Sequence, residues 1–320
     1  MKASVKSIKL KYLLYGFVCS LLVALPVRVY QMFSIVEKET GFFSIKNSSI
    51  PFFYGFTAVV TIGTIILAYL SAEVPSSNLP SEKNKLLGIA SLILGAGLIA
   101  NISREMTVLL RNIAAKAPLV GRGSIADLFS QQGGIVVPVK IIAAFLGAIY
   151  LFIFAFSHFG KKSSYKEHKV LALMPVLWAM CGLIVSLMQE ISYIKVSELM
   201  IEICFYVFMM LFLMSYAKIS SSIEYKPVMW HVFAFGLPAA MFGILSGVPR
   251  LILFLSGSGL VAGYPLDFSS LAAAAFVIIY IFASLGMGFY ENKSDNNELQ
   301  SQNAGYIDIA QSGNEESTAN

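Results

Sequence analysis

Two charged residues, Lys140 and Glu202, lie inside long apolar stretches and carry the sharpest chemical signal in the chain. A charge within a bilayer is costly and usually faces the protein interior, where it binds, relays or pairs. Counted from the outer ends of their stretches at 1.5 Å rise per residue, their depths agree within about 3 Å, which makes an ion pair between them feasible. Lys195, Glu198 and Glu202 follow at i, i+3 and i+7 and share one helical face, which Tyr206 continues one turn deeper. Arg28 and Arg250 reach the same level from two other stretches. These residues predict an outward-facing polar pocket lined by Arg28, Lys140, Glu198, Glu202 and Arg250. The competing expectation is that the long side chains snorkel to the outer headgroups, or that a salt bridge merely stitches two helices together.

Other chemistries lack their residues. The sequence has no HExxH, nucleophile elbow or phosphate-binding loop, and no aspartate sits within an apolar stretch. Gly257-Ser258-Gly259 has no histidine nearby to activate its serine. His158, His168 and His231 are not spaced as metal ligands, and Cys19, Cys181 and Cys204 sit singly in apolar runs as small hydrophobes. No enzyme activity, cofactor or metal is therefore expected. Nor is ion coupling across the midplane, because no carboxylate lies at the centre.

The elements that must position these charges are eight apolar stretches: residues 12–30, 51–71, 86–102, 135–157, 170–188, 199–217, 228–248 and 270–290. A span needs about 20 apolar residues, and in lipid a helix satisfies its own backbone, so each is expected to be a transmembrane helix. Composition agrees, with 57% of the 320 residues hydrophobic, 13% charged and a mean hydropathy of +0.74. Soluble domains carry roughly 25% charged residues. The fold expected is an all-α membrane bundle, residues 1–290, with a polar tail at 291–320. The bilayer is the expected environment, and the net charge of +5 is too small for a nucleic-acid footprint.

Orientation follows from the cations. With the N-terminus inside, thirteen of the 23 Lys and Arg residues fall on the inner side against nine outside, with Lys140 inside a span. Four lysines precede the first span, and both termini are then cytoplasmic. A cleaved signal peptide is the alternative for this first stretch, which would leave seven spans. The tail, rich in Asn, Gln, Ser and Glu, has too little apolar surface to fold and is a candidate contact for a protein partner. In the outer segment Ser103–Gly133, Met106, Leu109, Leu110 and Ile113 form an amphipathic pattern. It is either a helix lying flat on the leaflet or an extension of the third span.

Small residues mark where membrane helices touch closely. Ala239, Gly243 and Gly247 form such a stripe on the seventh span, Ser91 and Gly95 on the third, Ala143 and Gly147 on the fourth. They read as seams of the bundle, and the sequence does not specify an oligomeric state. Pro238 cannot donate to the carbonyl of Ala234, so a kink is expected there, eased by Gly236 and able to serve as a hinge. The first and seventh spans both end at Pro then Arg, Pro26 with Arg28 and Pro249 with Arg250, an echo of the kind duplicated transporter halves leave.

The stretches Leu25-Pro26-Val27-Arg28-Val29-Tyr30-Gln31 and Glu39-Thr40-Gly41-Phe42-Phe43, with Pro175-Val176-Leu177-Trp178, resemble a group of uncharacterised bacterial multi-pass membrane proteins. The resemblance covers about a quarter of the chain, by short motifs, and implies residence in a bacterial inner membrane without any assigned activity. Two functions remain open. One is a carrier or channel for a small solute, favoured by the outer charges and Pro238. The other is a non-transporting sensor or scaffold acting through the cytoplasmic tail and outer loop.

Overall fold

In the computed structural model, the described residues are 10–39, 41, 43–44, 47–71, 84–116, 135–160, 164–188, 196–221, 229–260 and 266–285. The chain divides into a unit of Met1–Met287 and a second of Gly288–Asn320, so the polar tail lies outside the description, as does Lys195.

Among the described residues there are eight α-helices: α1 Leu10–Ser34, α2 Ser49–Leu70, α3 Lys85–Lys116, α4 Val136–Phe159, α5 Met174–Met188, α6 Val196–Ser220, α7 Met229–Leu255 and α8 Phe268–Ser284. Two short 3-10 turns, Ser164–Glu167 and Leu171–Leu173, lead into α5. Among the described residues seven segments are long and apolar enough to cross a membrane, and Phe268–Ser284 is a shorter apolar helix. The protein is a multi-pass helical membrane bundle.

Helices α3 to α8 pack in sequence, and α8 returns to α3, closing a ring of six. The α1–α2 hairpin docks on the outside of this ring against α7, which therefore touches α1, α2, α6 and α8. Lipid tails are as apolar as leucine, so close backbone approach rather than hydrophobic burial holds such helices together. The stripe on α7 does this at its seam with α8. A Cβ on Gly243 would lie 3.0 Å from the Ser270 carbonyl oxygen, and one on Gly247 would run into Leu271. Ala239, one turn before Gly243, is fully buried. On α3, Gly95 admits the ring of Phe152 from α4, and Ser91 is fully buried, its hydroxyl returned to the Leu87 carbonyl.

Inside the ring, aromatic side chains fill the space. Tyr216 stands edge-on to Phe154, Phe276 and Tyr280 with centroids 5.4–5.5 Å apart, and Phe212 and Tyr150 complete the cluster.

Several boundaries differ from those expected. α1 continues past Tyr30 to Ser34 and α7 past Val248 to Leu255, so Pro26 and Pro249 lie within helices rather than at their ends. A proline and an arginine had marked those ends, but in lipid the backbone gap a proline leaves can be met by neighbouring groups, and the helix runs on. α3 is one continuous helix to Lys116, so residues 103–116 extend the third span instead of lying flat. Residues 117–134 of that loop are outside the description. Gly236 and Pro238 both lie in the unbroken α7. At Gly236 the close neighbours are Phe212, Ile281 and Val277, each within 3.1 Å of where a Cβ would stand, so this glycine serves packing.

Candidate functional site

The charged residues that the sequence places at the outer end come together from the second halves of α1, α3 and α7 and the first halves of α4 and α6. Glu198 is at the centre. It opens α6, and its side chain is 1% exposed. Arg28, wholly buried, donates from Nη2 to Glu198 Oε1. Arg250, 4% exposed, donates to the other oxygen from Nη2 at 2.8 Å and from Nε at 3.1 Å. One carboxylate thus joins three helices, α1, α6 and α7. Glu202, one turn deeper on α6, stands 3.9 Å from Arg250 and offsets the second positive charge.

The surroundings fix this geometry. Arg28 Nη1 donates to Gln31 Oε1 at 3.3 Å, one turn on in α1. Gln31 Nε2 in turn donates to the Ser49 carbonyl at 2.9 Å, tying α1 to the start of α2. The Arg28 guanidinium carbon lies 5.5 Å from the centroid of the Phe53 ring, a cation–π contact. Lys38 donates to the Ser258 carbonyl at 2.6 Å and links the α1–α2 connection to the segment after α7.

Lys140 is buried, but its partner is not Glu202. Its Nζ donates to Glu105 Oε1 on α3 at 2.6 Å and stands 5.8 Å from the Tyr206 ring centroid. The expected pairing fails because α3 does not stop near Ile102. Its extra turns carry Glu105 to the depth of Lys140, on the helix that packs most closely against α4. Arg104 from the same turn donates to the Leu266 carbonyl and to Asn101 Oδ1, each at 2.8 Å. Asn101 donates to Ser269 Oγ at 3.3 Å, and Ser269 donates from both N and Oγ to Asp267, which caps α8. Glu202 feels the charges of Arg250, Asp267, Lys140 and Glu198, so the two groups of charges are electrically connected through it.

Among the described residues, this end therefore brings together the cations Arg28, Arg104, Lys140 and Arg250 and the carboxylates Glu105, Glu198, Glu202 and Asp267, with Lys38 beside them. Of the five residues expected to line a pocket, Arg28, Glu198, Arg250 and Glu202 come together, and Lys140 belongs to a neighbouring pair. The buried arginines point inward to carboxylates, so snorkelling does not describe them. In this conformation Arg28 and Arg250 answer Glu198, Lys140 answers Glu105, and Arg104 donates to the neutral Leu266 carbonyl and Asn101. Sequence reasoning missed Gln31, Glu105, Arg104 and Asp267. The spacing of Arg28 and Gln31 at i and i+3 could have revealed the first, whereas the others needed the true length of α3.

Beside the Arg28–Glu198 contact, an apolar groove of about 250 Å³ opens between α2 and α6, with α7 as its floor. Phe53, which also carries Arg28, lines it together with Tyr54, Thr61, Cys204, Phe208 and Phe242. Ile62 and Met200 at its mouth are more than half and half exposed, respectively. Among the described residues no group of His, Cys, Asp or Glu is arranged to hold a metal.

No protein-family profile, curated protein or solved structure matches the chain. The class defined by its structure is a multi-pass helical membrane bundle with a buried charge network at one end.

Proposed function

We propose that the chain is a carrier for a small solute in a bacterial cytoplasmic membrane, closed at its outer end in this conformation by the Arg28–Glu198–Arg250 triad. The observation that supports this reading is that three helices from the two packing units, the α1–α2 hairpin and the ring, are joined at one buried carboxylate. Buried ion pairs are poor stabilisers, since well-packed apolar residues hold a fold as well or better. Their value is as discrete, breakable contacts. A triad across separately packed elements is a lock that can open by moving the hairpin and α7 relative to α6. The aromatic filling of the ring favours a carrier over an open channel, because no polar path crosses the described interior. The bacterial location is supported by the sequence resemblance and the N-in orientation by the lysines of the first segment.

Cys204 offers the test. It lies in the groove on α6 below Glu198 and is partly buried. With Cys19 and Cys181 replaced by alanine, a water-soluble, membrane-impermeant maleimide added from outside reports how often water reaches Cys204. Arg250→Lys keeps the charge but loses the two-pronged contact with Glu198, which weakens the lock without orphaning a charge. The carrier reading expects faster labelling in this variant. Unchanged labelling in a folded Arg250→Lys protein would contradict it.

A further inference from the structure

The groove between α2 and α6 is not used by the closed charge network, and its chemistry is different. It opens sideways, at Ile62 and Met200, on the face that a bilayer covers with hydrocarbon. Four aromatic rings line it, Phe53, Tyr54, Phe208 and Phe242, the last two stacked with centroids 5.9 Å apart and planes within 6°. Its volume of about 250 Å³ falls just below the roughly 300–1,000 Å³ of sites for whole drug-sized molecules. It suits one ring or one chain rather than a complete phospholipid.

One polar atom in that lining is unusual. Thr57, Thr61 and Thr64 form the buried face of α2, and a threonine in a membrane helix ordinarily returns its hydroxyl to the carbonyl one turn back. Thr57 does so with the Phe53 carbonyl at 2.9 Å and Thr64 with that of Val60 at 2.7 Å. The Thr61 hydroxyl, on a residue 7% exposed, has no partner among the described residues. An unsatisfied hydroxyl in an apolar site is costly, and a ligand acceptor would remove that cost. Thr61 lies about 18 Å along α2 from its first residue, at 1.5 Å per residue, near the middle of a hydrocarbon core about 30 Å thick. Phospholipid ester oxygens sit at the interface, not at that depth. The acceptor must belong to a molecule that carries its polar group into the hydrocarbon.

We propose that this groove binds a lipid-soluble carbonyl compound of the quinone type, its ring among Phe53, Phe208 and Phe242, one carbonyl oxygen accepting from Thr61, and its tail leaving past Ile62 into the bilayer. The site does not depend on the carrier reading, because it requires neither transport nor opening of the triad.

The probe is a benzoquinone with a decyl tail, added to the full-length protein in phospholipid nanodiscs, with the thermal midpoint as readout. Wild type is expected to shift upward saturably with the quinone and not with decane. Thr61→Val keeps the shape and removes the donor, and should weaken binding about fivefold to tenfold, the usual worth of one hydrogen bond. Ala58→Trp fills the lipid-exposed mouth and should abolish the shift; Ile62→Trp serves the same purpose should the first fail to fold. The proposal is overturned by no shift in wild type, by an equal shift with decane, by equal affinity in Thr61→Val, or by binding that survives a filled groove. None of these results bears on Cys204 labelling in Arg250→Lys, so the two readings fail separately.

Discussion

Arg28 and Arg250, from the first and seventh helices, meet on opposite oxygens of the single carboxylate Glu198. The Pro-Arg echo in the sequence thus becomes a spatial convergence. Each arginine follows a proline within a continuous helix, and each reaches α6 from a different side.

Removing the shared carboxylate should be the costliest single change in the network. Glu198→Gln leaves two buried guanidinium groups without the carboxylate they share, and breaking a buried pair costs about 3–5 kcal/mol. Arg250→Met leaves Arg28 and Glu198 still paired and should cost less. Thermal midpoints of the purified variants in one detergent give the order, and a Glu198→Gln protein as stable as Arg250→Met would refute it.

Lys140 and Glu105 form a second, separable pair. Lys140→Glu alone and Glu105→Lys alone should each destabilise, and the swapped double variant should recover part of the loss. A coupling energy on the order of 1 kcal/mol is expected for a contact of this kind within a membrane bundle. Lys140→Met combined with Glu202→Gln should show a smaller coupling, because Lys140 makes its direct contact with Glu105.

The α7–α8 seam should reject bulk that α2 accepts. Gly243→Val places methyl groups against the Ser270 carbonyl and should cost about 1–3 kcal/mol as overpacking. Gly55 and Gly63 on α2 have open space at the Cβ position, and Gly63→Ala should be neutral or slightly stabilising, since alanine is the better helix former. Equal effects at Gly243 and Gly63 would mean that the helices do not pack as described.

The spans were legible because length and hydropathy alone decide what can cross a bilayer. Where the sequence misled was at their ends. Arg28 and Arg250 read as boundary residues, since charge normally marks the water side, but here each charge is answered inside and the helix continues beyond it. The same effect hid Glu105. The turn with Asn101, Ser103, Arg104 and Glu105 reads as either a flat amphipathic helix or an extension of the third span, and as the extension it turns Glu105 to α4 and Arg104 to the segment before α8. Depth matching makes a Lys140–Glu202 pair feasible, but depth says nothing of which helices are neighbours, and Glu105 is the closer partner. Which helices are neighbours in the ring cannot be read from hydropathy, because every span has the same solvent.

The most direct measurement replaces the triad and its neighbour Glu202 at once, Arg28→Met with Glu198→Leu, Arg250→Met and Glu202→Gln, and follows Cys204 labelling from outside alongside thermal stability. Exchanging a complete buried ion cluster for uncharged residues of similar size leaves stability near that of wild type or above it. If the triad is a lock, the quadruple variant folds and Cys204 reacts faster than in wild type. A stable quadruple variant whose Cys204 reacts at the wild-type rate would contradict the account, because the charges would then control no opening.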